Sequence, residues 1–437
     1  MFRITARDQR PEDLLGLATF SFSLPSINYG DHRKAIFEEI AGKGSWNQFQ
    51  QDGTFNTDVF SWLVNHHEIR PMILEEFACY RYHLREKNGR SNRGWGHNMV
   101  HSVIQQVIRQ DPVYFMLSAA ARPDANYRLI SYPYYVADKR PQDSTVFRHL
   151  DLSPRRYIRS AGTQGAFSSP NSPYPSAASI GRRGFTIQGG VAIDHETAEG
   201  GCTEVIKGFH KVMSAWWTKV EERFAKQGLL APNGLVTNLK PPVWTSEDQG
   251  MYGSFELVPM EAGQVRLTMA EVIHGSTATT AAHRQIIFPW YTGIKEAHQT
   301  LDQVECGTWE EVANSHRDFL SRPRSGPSGY PHMYGSSCAF PGSVPVRAVA
   351  PIWDALVGAR KYTDFGVLAN VSCLLGEDRE AAKCKAEEIR RVVLESYRGW
   401  YLQAVEMEQL AFGPNSYYVI HGSDPLGIEG RRELASE

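Results

Sequence analysis

The sequence predicts an α+β protein with a mainly β core set between helical N- and C-terminal extensions, and three observations carry that expectation. Apolar residues recur at helical spacing from residue 31 to about 112. Between residues 127 and 294 the period changes to short runs rich in β-branched and aromatic residues, punctuated by Gly and Pro. A helical stripe then returns over Glu377–Phe412. The organisation expected is a mainly helical scaffold over 1–120, a β core over 121–300, and a loop and helical extension over 301–437 that packs on the core.

In the first region, PMILEEFACYRYHLREK (Pro71–Lys87) places Pro71 at a plausible first helical position, with Ile73, Phe77, Tyr80 and Leu84 along one face. In the β region, YRLISYPYYVAD from Tyr127, FTIQGGVAID from Phe185, SFELVPM from Ser254, QVRLTM from Gln264 and RQIIFPWYTGI from Arg284 read as strands. One helix interrupts them, Gly208–Gly228, closed by a glycine after Lys226 and Gln227, and its Trp216 and Trp217 are expected in the core. Two stretches dense in Ser, Pro and Gly, Ser160–Arg183 and Arg322–Gly342, read as loops, and the first has the length of a lid. On the last helix Ile389, Val393, Trp400, Ala404 and Met407 share a stripe.

Composition narrows the function classes. With 437 residues, 42% hydrophobic and 22% charged, the chain has the make-up of an ordinary globular protein. A formal net charge of -2 offers no general attraction for a polyanion, so a nucleic-acid partner is not expected. The charged first fourteen residues lack a secretory apolar stretch, and no run reaches the roughly 18 apolar residues of a membrane span, so the chain is expected to begin near Met1 and to be cytoplasmic. The six cysteines are scattered without a C-x-x-C pair, which argues against a disulfide framework and a zinc ribbon.

The chemistry-bearing signal is FRHLDLSP. On an extended backbone His149 and Asp151, two apart, share a face, so one imidazole and one carboxylate converge. With a second imidazole such a pair makes the 2-His-1-carboxylate facial triad of non-haem Fe(II) oxygenases, which leaves coordination positions open for a co-substrate and O2. An H-x-D pair alone is weak. It gains weight from VRLTMAEVIHGSTATTAAHRQIIFPWY, where His274 follows a strand and Arg284 opens another ten residues later. The Arg284 fork suits a carboxylate such as the distal end of 2-oxoglutarate, and Ser276 can add a hydroxyl.

The H-x-D pair, then QGGVAIDHETAEGGCTEVIKGFHK (Gln188–Lys211), then I-H-G-S with its Arg ten residues on, together resemble the phytanoyl-CoA dioxygenase family of Fe(II)/2-oxoglutarate oxygenases over roughly Tyr127–Trp290. The resemblance implies a double-stranded β-helix, a cupin-like jelly roll. It implies iron ligands at His149, Asp151 and His274, with Arg284 and Ser276 on the co-substrate. The implied reaction is hydroxylation, desaturation or cyclisation of a small molecule, such as an amino acid or specialised metabolite, with release of succinate and CO2. Lys207-Gly208-Phe209-His210 departs from the family's Pro-Gly-Ser-His, and the interval from Asp151 to His274 is long.

Other residues compete for a role. His97 and His101 have a zinc-compatible spacing but lack the Glu of H-E-x-x-H, and His66-His67-Glu68 reads as a solvated cluster. His195 and His210 read as capping or hydrogen-bonding groups, and His283 points away from Arg284. Arg155, Ile286 and Phe288 are candidate substrate contacts, the last two sharing the inward face of the Arg284 strand. Two other function classes stand beside the first: a same-family modifier of nucleic acid or protein, supported by Arg182-Arg183 and Arg322-Pro-Arg324, and a non-catalytic jelly-roll binding module.

Overall fold

The structure, a computed structural model, describes residues 33–82, 95–96, 103–121, 127–131, 136–139, 148–150, 154, 187–228, 244–277, 284–289, 291–295 and 379–422. Among these the strands are β1 (Thr54–Asp58), β2 (Trp95–Gly96), β3 (Tyr127–Ser131), β4 (Val136–Lys139), β5 (Ile187–Ala192), β6 (Thr203–Val205), β7 (Glu256–Leu257), β8 (Gln264–Met269), β9 (His274–Ser276), β10 (Arg284–Ile287) and β11 (Tyr291–Lys295). The α-helices are α1 (Arg33–Ala41), α2 (Ser45–Asp52), α3 (Ser61–Val64), α4 (Ile69–Arg81), α5 (Val103–Gln110), α6 (Pro112–Ala121), α7 (Phe209–Lys226), α8 (Ser246–Tyr252), α9 (Arg379–Phe412) and α10 (Tyr417–His421).

The strands form two sheets with antiparallel pairing throughout. The larger has eight strands in the order β1-β8-β5-β10-β4-β2, with β11 pairing to β3 and to the start of β5; the smaller has the order β7-β6-β9. His149 adds to the free side of β9 through an isolated antiparallel bridge to His274. The expected antiparallel β core with helices is therefore present.

Several local readings shift, each for a physical reason. The first 120 residues are not only a helical scaffold, because β1 is hydrogen-bonded along β8 and β2 along β4, so this segment supplies strands to the core sheet. Helix α4 begins two residues before Pro71, whose missing N–H still falls in the first turn, where no intrahelical partner exists. SFELVPM yields only the two-residue β7, since Val258 N turns to Thr203 O and Pro259 cannot donate to a ladder. RQIIFPWYTGI divides into β10 and β11 around Pro289 for the same reason.

Helix α7 forms as its periodicity predicts, opening after Gly208 in a left-handed conformation (φ 74°) that a residue with a Cβ adopts only under strain. Its buried face, Phe209, Met213, Trp216, Trp217, Val220 and Phe224, packs with Leu150, Ile206, Trp244, Ala270 and Ile273 into one hydrophobic cluster. The tryptophan pair is thus core, with edge-to-face rings of Phe209 and Phe224 against Trp216. The C-terminal helix α9 buries Ile389, Val393 and Trp400 as its stripe predicts, together with Tyr397 and Tyr401. It reaches the core through the N-terminal helices: Arg390 clamps Asp111 at 2.8 and 2.9 Å, and Tyr397 Oη donates to Glu76 Oε1 at 2.7 Å. The loops expected at Ser160–Arg183 and Arg322–Gly342 lie outside the described residues.

Candidate active site

Alternation along β6 and β9 sorts the smaller sheet into two faces. Thr203 is paired with Ser276 and Val205 with His274, so these four side chains share one side, while Glu204 and Gly275 belong to the other. His149 and Leu150 divide in the same way. Leu150 and Ile273 are buried in the Trp216 cluster, which fixes that cluster behind the sheet and leaves His149 and His274 on the opposite side. Behind His149, Arg148 grips Glu204 with two hydrogen bonds, 2.5 and 2.7 Å, and lies 4.0 Å from the Phe255 ring centroid. Such a bidentate clamp on the preceding residue holds the His149 backbone in place.

The two histidines meet directly. His149 N donates to His274 O at 2.8 Å, His274 N donates to His149 O at 3.1 Å, and the ring centroids are 4.4 Å apart. His274 Nδ1 lies 3.1 Å from Val272 O. With its proton on Nδ1 the ring donates to that carbonyl and Nε2 carries the lone pair, the tautomer in which a backbone carbonyl fixes the ring's orientation. Asp151 and Arg155 lie outside the described residues, and among the described residues no group of three His, Cys, Asp or Glu side chains is placed to hold a metal.

The larger sheet supplies a buried charge network. Arg284, 2% exposed, opens β10, and its Nη2 donates to Glu196 Oε1 at 2.8 Å and Thr203 Oγ1 at 2.6 Å. Among the described residues its Nε and Nη1, both buried, have no hydrogen-bond partner. Leaving charged donors unsatisfied costs about 1–3 kcal/mol or more per group, so they call for an acceptor such as a carboxylate. Beside it Arg266 of β8, which no feature of the sequence reading singled out, donates from Nη1 to Glu196 Oε2 at 3.0 Å and from Nη2 to Thr203 Oγ1 at 2.5 Å. Burial alone would raise the Glu196 carboxyl; Arg266, then Arg284, and hydrogen bonds from Thr203 outweigh it and hold it at about 2. Burial draws Arg284 below its usual value and Glu196 opposes the shift. Burial, then the Glu196 charge, pushes the nearby Cys202 thiol up to about 12, so it behaves as a neutral hydrophobe.

The glycine pair in QGGVAID divides between the two faces of β5. A Cβ on Gly190 would lie 3.1 Å from Ile286 Cδ1 and 3.7 Å from both Arg266 Nη2 and Phe288 Cδ1, so its absence leaves a bare cradle between Arg266 and the apolar pair. Arg284 Cζ is 6.0 Å from the Phe288 ring centroid, and Phe288 packs on Ile286 and Met260. Ile286 and Phe288 thus border the cradle, with Arg284 beside the Phe288 ring. A Cβ on Gly189 would instead come within 1.9 Å of Tyr114 Oη.

Other sequence candidates fall away from this site. His67 and Glu68 are solvent-exposed, and exposed His195 pairs with Glu261. His210 Nε2 lies 3.1 Å from Gln50 O, where burial lowers its basicity. His97, His101, His283 and the basic clusters at Arg182-Arg183 and Arg322-Arg324 lie outside the described residues. Glu196, Thr203 and Arg266 were missed. The one available signal was Arg266 itself, a charge in the middle of the strand-like run QVRLTM, which is buried on both faces.

The sequence profile of the phytanoyl-CoA dioxygenase (PhyH) family matches residues 167–286, 120 of the 437 residues, a span that holds His274, Ser276, Arg284, Glu196, Thr203 and Arg266. The segment matched is similar to the family that its motifs resemble, and His149 and Asp151 lie before it. Among solved structures, the non-haem alpha ketoglutarate dependent epimerase SnoN from nogalamycin biosynthesis is 17% identical, covering 59% of this chain and 83% of that one at a TM-score of 0.36. The apoform of EctD from S. alaskensis is 13% identical over 63% and 83%, with a TM-score of 0.38. The non-haem alpha ketoglutarate dependent carbocyclase SnoK, also from nogalamycin biosynthesis, is 14% identical over 58% and 85%, with a TM-score of 0.35. No curated protein sequence matches the chain. No helix among the described residues is long and apolar enough to cross a membrane.

Proposed function

We propose that this protein is a non-haem Fe(II)/2-oxoglutarate-dependent oxygenase acting on a small molecule, with its two sheets closing as a double-stranded β-helix. The observation that carries the reading is the pairing of His149 with His274 on one sheet, while Arg284 on the other sheet keeps buried Nε and Nη1 donors without a partner. The donor set fits the group: two imidazoles, one with its Nδ1 beside a carbonyl, and a buried guanidinium beside a cradle that a side chain on Gly190 would fill.

In this reading His149, His274 and Asp151 hold iron(II), and Arg284 with Ser276 takes the distal carboxylate of 2-oxoglutarate. Bound there, iron(II), 2-oxoglutarate and O2 supply an oxidant able to remove hydrogen from a C–H bond, with succinate and CO2 released. The chain's own residues do the rest. Buried Arg284 binds and orients a dicarboxylate, Ile286 and Phe288 cover its methylenes and exclude water, and Arg148 with Glu204 steadies His149. Arg155, four residues past Asp151, is the candidate contact for an anionic group of the organic substrate. The open choice among hydroxylation, desaturation and ring formation is set by how that substrate is held, and an amino acid or specialised metabolite is the substrate class we propose.

The test is anaerobic titration of the Fe(II)-loaded protein with 2-oxoglutarate, following the visible metal-to-ligand charge-transfer band. The band is expected in the unaltered chain, lost in Asp151→Ala, and present in Arg284→Ala only at far higher 2-oxoglutarate. Absence of any band removes the oxygenase reading and leaves a jelly-roll binding module.

A further inference from the structure

Two guanidiniums and one carboxylate are buried together, each side chain no more than 3% exposed, in a cluster that a single arginine would suffice to form if the only task were to meet one carboxylate. Glu196 takes Arg284 Nη2 on Oε1 and Arg266 Nη1 on Oε2, and Thr203 Oγ1 accepts from both arginines. A buried Glu196–Arg284 pair alone would be neutral. It would hold Arg284 in place and at the same time cancel the charge that an incoming carboxylate needs.

Resting on the oxygenase reading above, we propose that Arg266 is a positioning residue for co-substrate binding: it neutralises Glu196, so that Glu196 can anchor Arg284 while the cluster keeps a net charge of one positive unit for the distal carboxylate of the 2-oxo acid. Arg266 need not touch the ligand to do this. Its guanidinium is held within the protein: Nη1 donates to Val258 O at 2.8 Å as well as to Glu196, and Nη2 borders the cradle at Gly190. Glu196 in turn commits Nη2 of Arg284 and leaves Nε and Nη1 for the ligand. The device selects a dicarboxylic over a monocarboxylic 2-oxo acid, because only the former brings the second negative charge into the low-dielectric interior.

The charge logic makes a prediction that a merely structural Arg266 does not. Calorimetric binding of 2-oxoglutarate and of 2-oxobutyrate, which lacks the distal carboxylate, is measured anaerobically on the Fe(II)-loaded full chain. Arg266→Gln brings the cluster to zero and weakens 2-oxoglutarate by about tenfold or more, with 2-oxobutyrate little changed. Adding Glu196→Gln restores the single positive charge and recovers most of the lost affinity, and Arg266→Lys, which keeps the charge, stays within about threefold of the unaltered chain. If Arg266→Gln does not fold, the double variant and Arg266→Lys are both still expected to bind. Unchanged 2-oxoglutarate affinity in a folded Arg266→Gln, or no recovery in the double variant, overturns the inference. If the unaltered chain binds neither 2-oxo acid, it is the oxygenase reading that fails, and the inference with it.

Discussion

His149 and His274 are joined backbone to backbone by reciprocal hydrogen bonds of 2.8 and 3.1 Å, so two imidazoles 125 positions apart in sequence arrive as one strand pair. His274 belongs to β9 and His149 is held to it by an isolated bridge, so both backbones are fixed at the edge of the smaller sheet. Replacing either with Ala is therefore expected to leave the fold intact and to weaken Fe(II) binding by at least about 100-fold, read by anaerobic metal titration with circular dichroism as the check on folding. Tight Fe(II) binding by a folded His274→Ala protein would remove that residue from the metal centre.

Gly189 and Tyr114 occupy one space. A methyl on Gly189 would sit 1.9 Å from Tyr114 Oη and 2.9 Å from Pro289 O, and Tyr114 Oη donates to that same carbonyl. Gly189→Ala is expected to lower stability by about 1–3 kcal/mol or more through overpacking, and Tyr114→Phe in the same chain to return part of it. Thermal melts of the two single variants and the pair measure the coupling. Simple additivity would mean that the ring does not press on β5.

Asp111 and Arg390 tie the long C-terminal helix to the N-terminal helices. Arg390 donates Nε and Nη2 to the two carboxylate oxygens at 2.8 and 2.9 Å, and Nη2 also reaches Val59 O at 3.1 Å. Arg390→Ala strands a buried carboxylate and is expected to cost about 1.5–3 kcal/mol in denaturant unfolding, without altering Fe(II) affinity. A change in metal binding of tenfold would show that α9 acts on the site and not only on stability.

Glu196 carries a pH dependence of definite sign. Its carboxyl is held at about 2 in the folded chain against an ordinary 4.5, so its contribution to stability is complete above the ordinary value and is lost as the pH falls towards 2. The Tm advantage of the unaltered chain over Glu196→Gln/Arg266→Gln should therefore shrink between pH 4.5 and 2 and be level above that window. An advantage that does not change with pH would mean that Glu196 is not ionised in the fold.

Parts of this protein were legible from local pattern. The 3.6-residue period of Phe209–Lys226 and the β-branched runs around Ile187, Gln264 and Arg284 form the elements they announce, because burial of one helix face, or of a short apolar run on both sides of a sheet, is enough to select each. The spacing of His274, Ser276 and Arg284 was equally readable, since strand alternation puts the first two side chains on one face without help from the rest of the chain. β1 was not readable: TFNTD has no strong strand signal, and it becomes one by hydrogen bonding along β8, more than 200 residues away.

What the sequence by itself determined, then, is the set of local periods and the spacing of the residues proposed to bind metal and anion, because those depend on neighbours a few positions apart. Only the tertiary structure decided that Glu196, Thr203, Arg266 and Arg284 share one buried network, and that Gly189 yields to Tyr114 while Gly190 leaves a cradle. Their energies arise from charges and atoms brought together across sheets and helices. Long-range desolvation and close packing, which no window of sequence contains, make an ordinary strand arginine into part of a buried charge network.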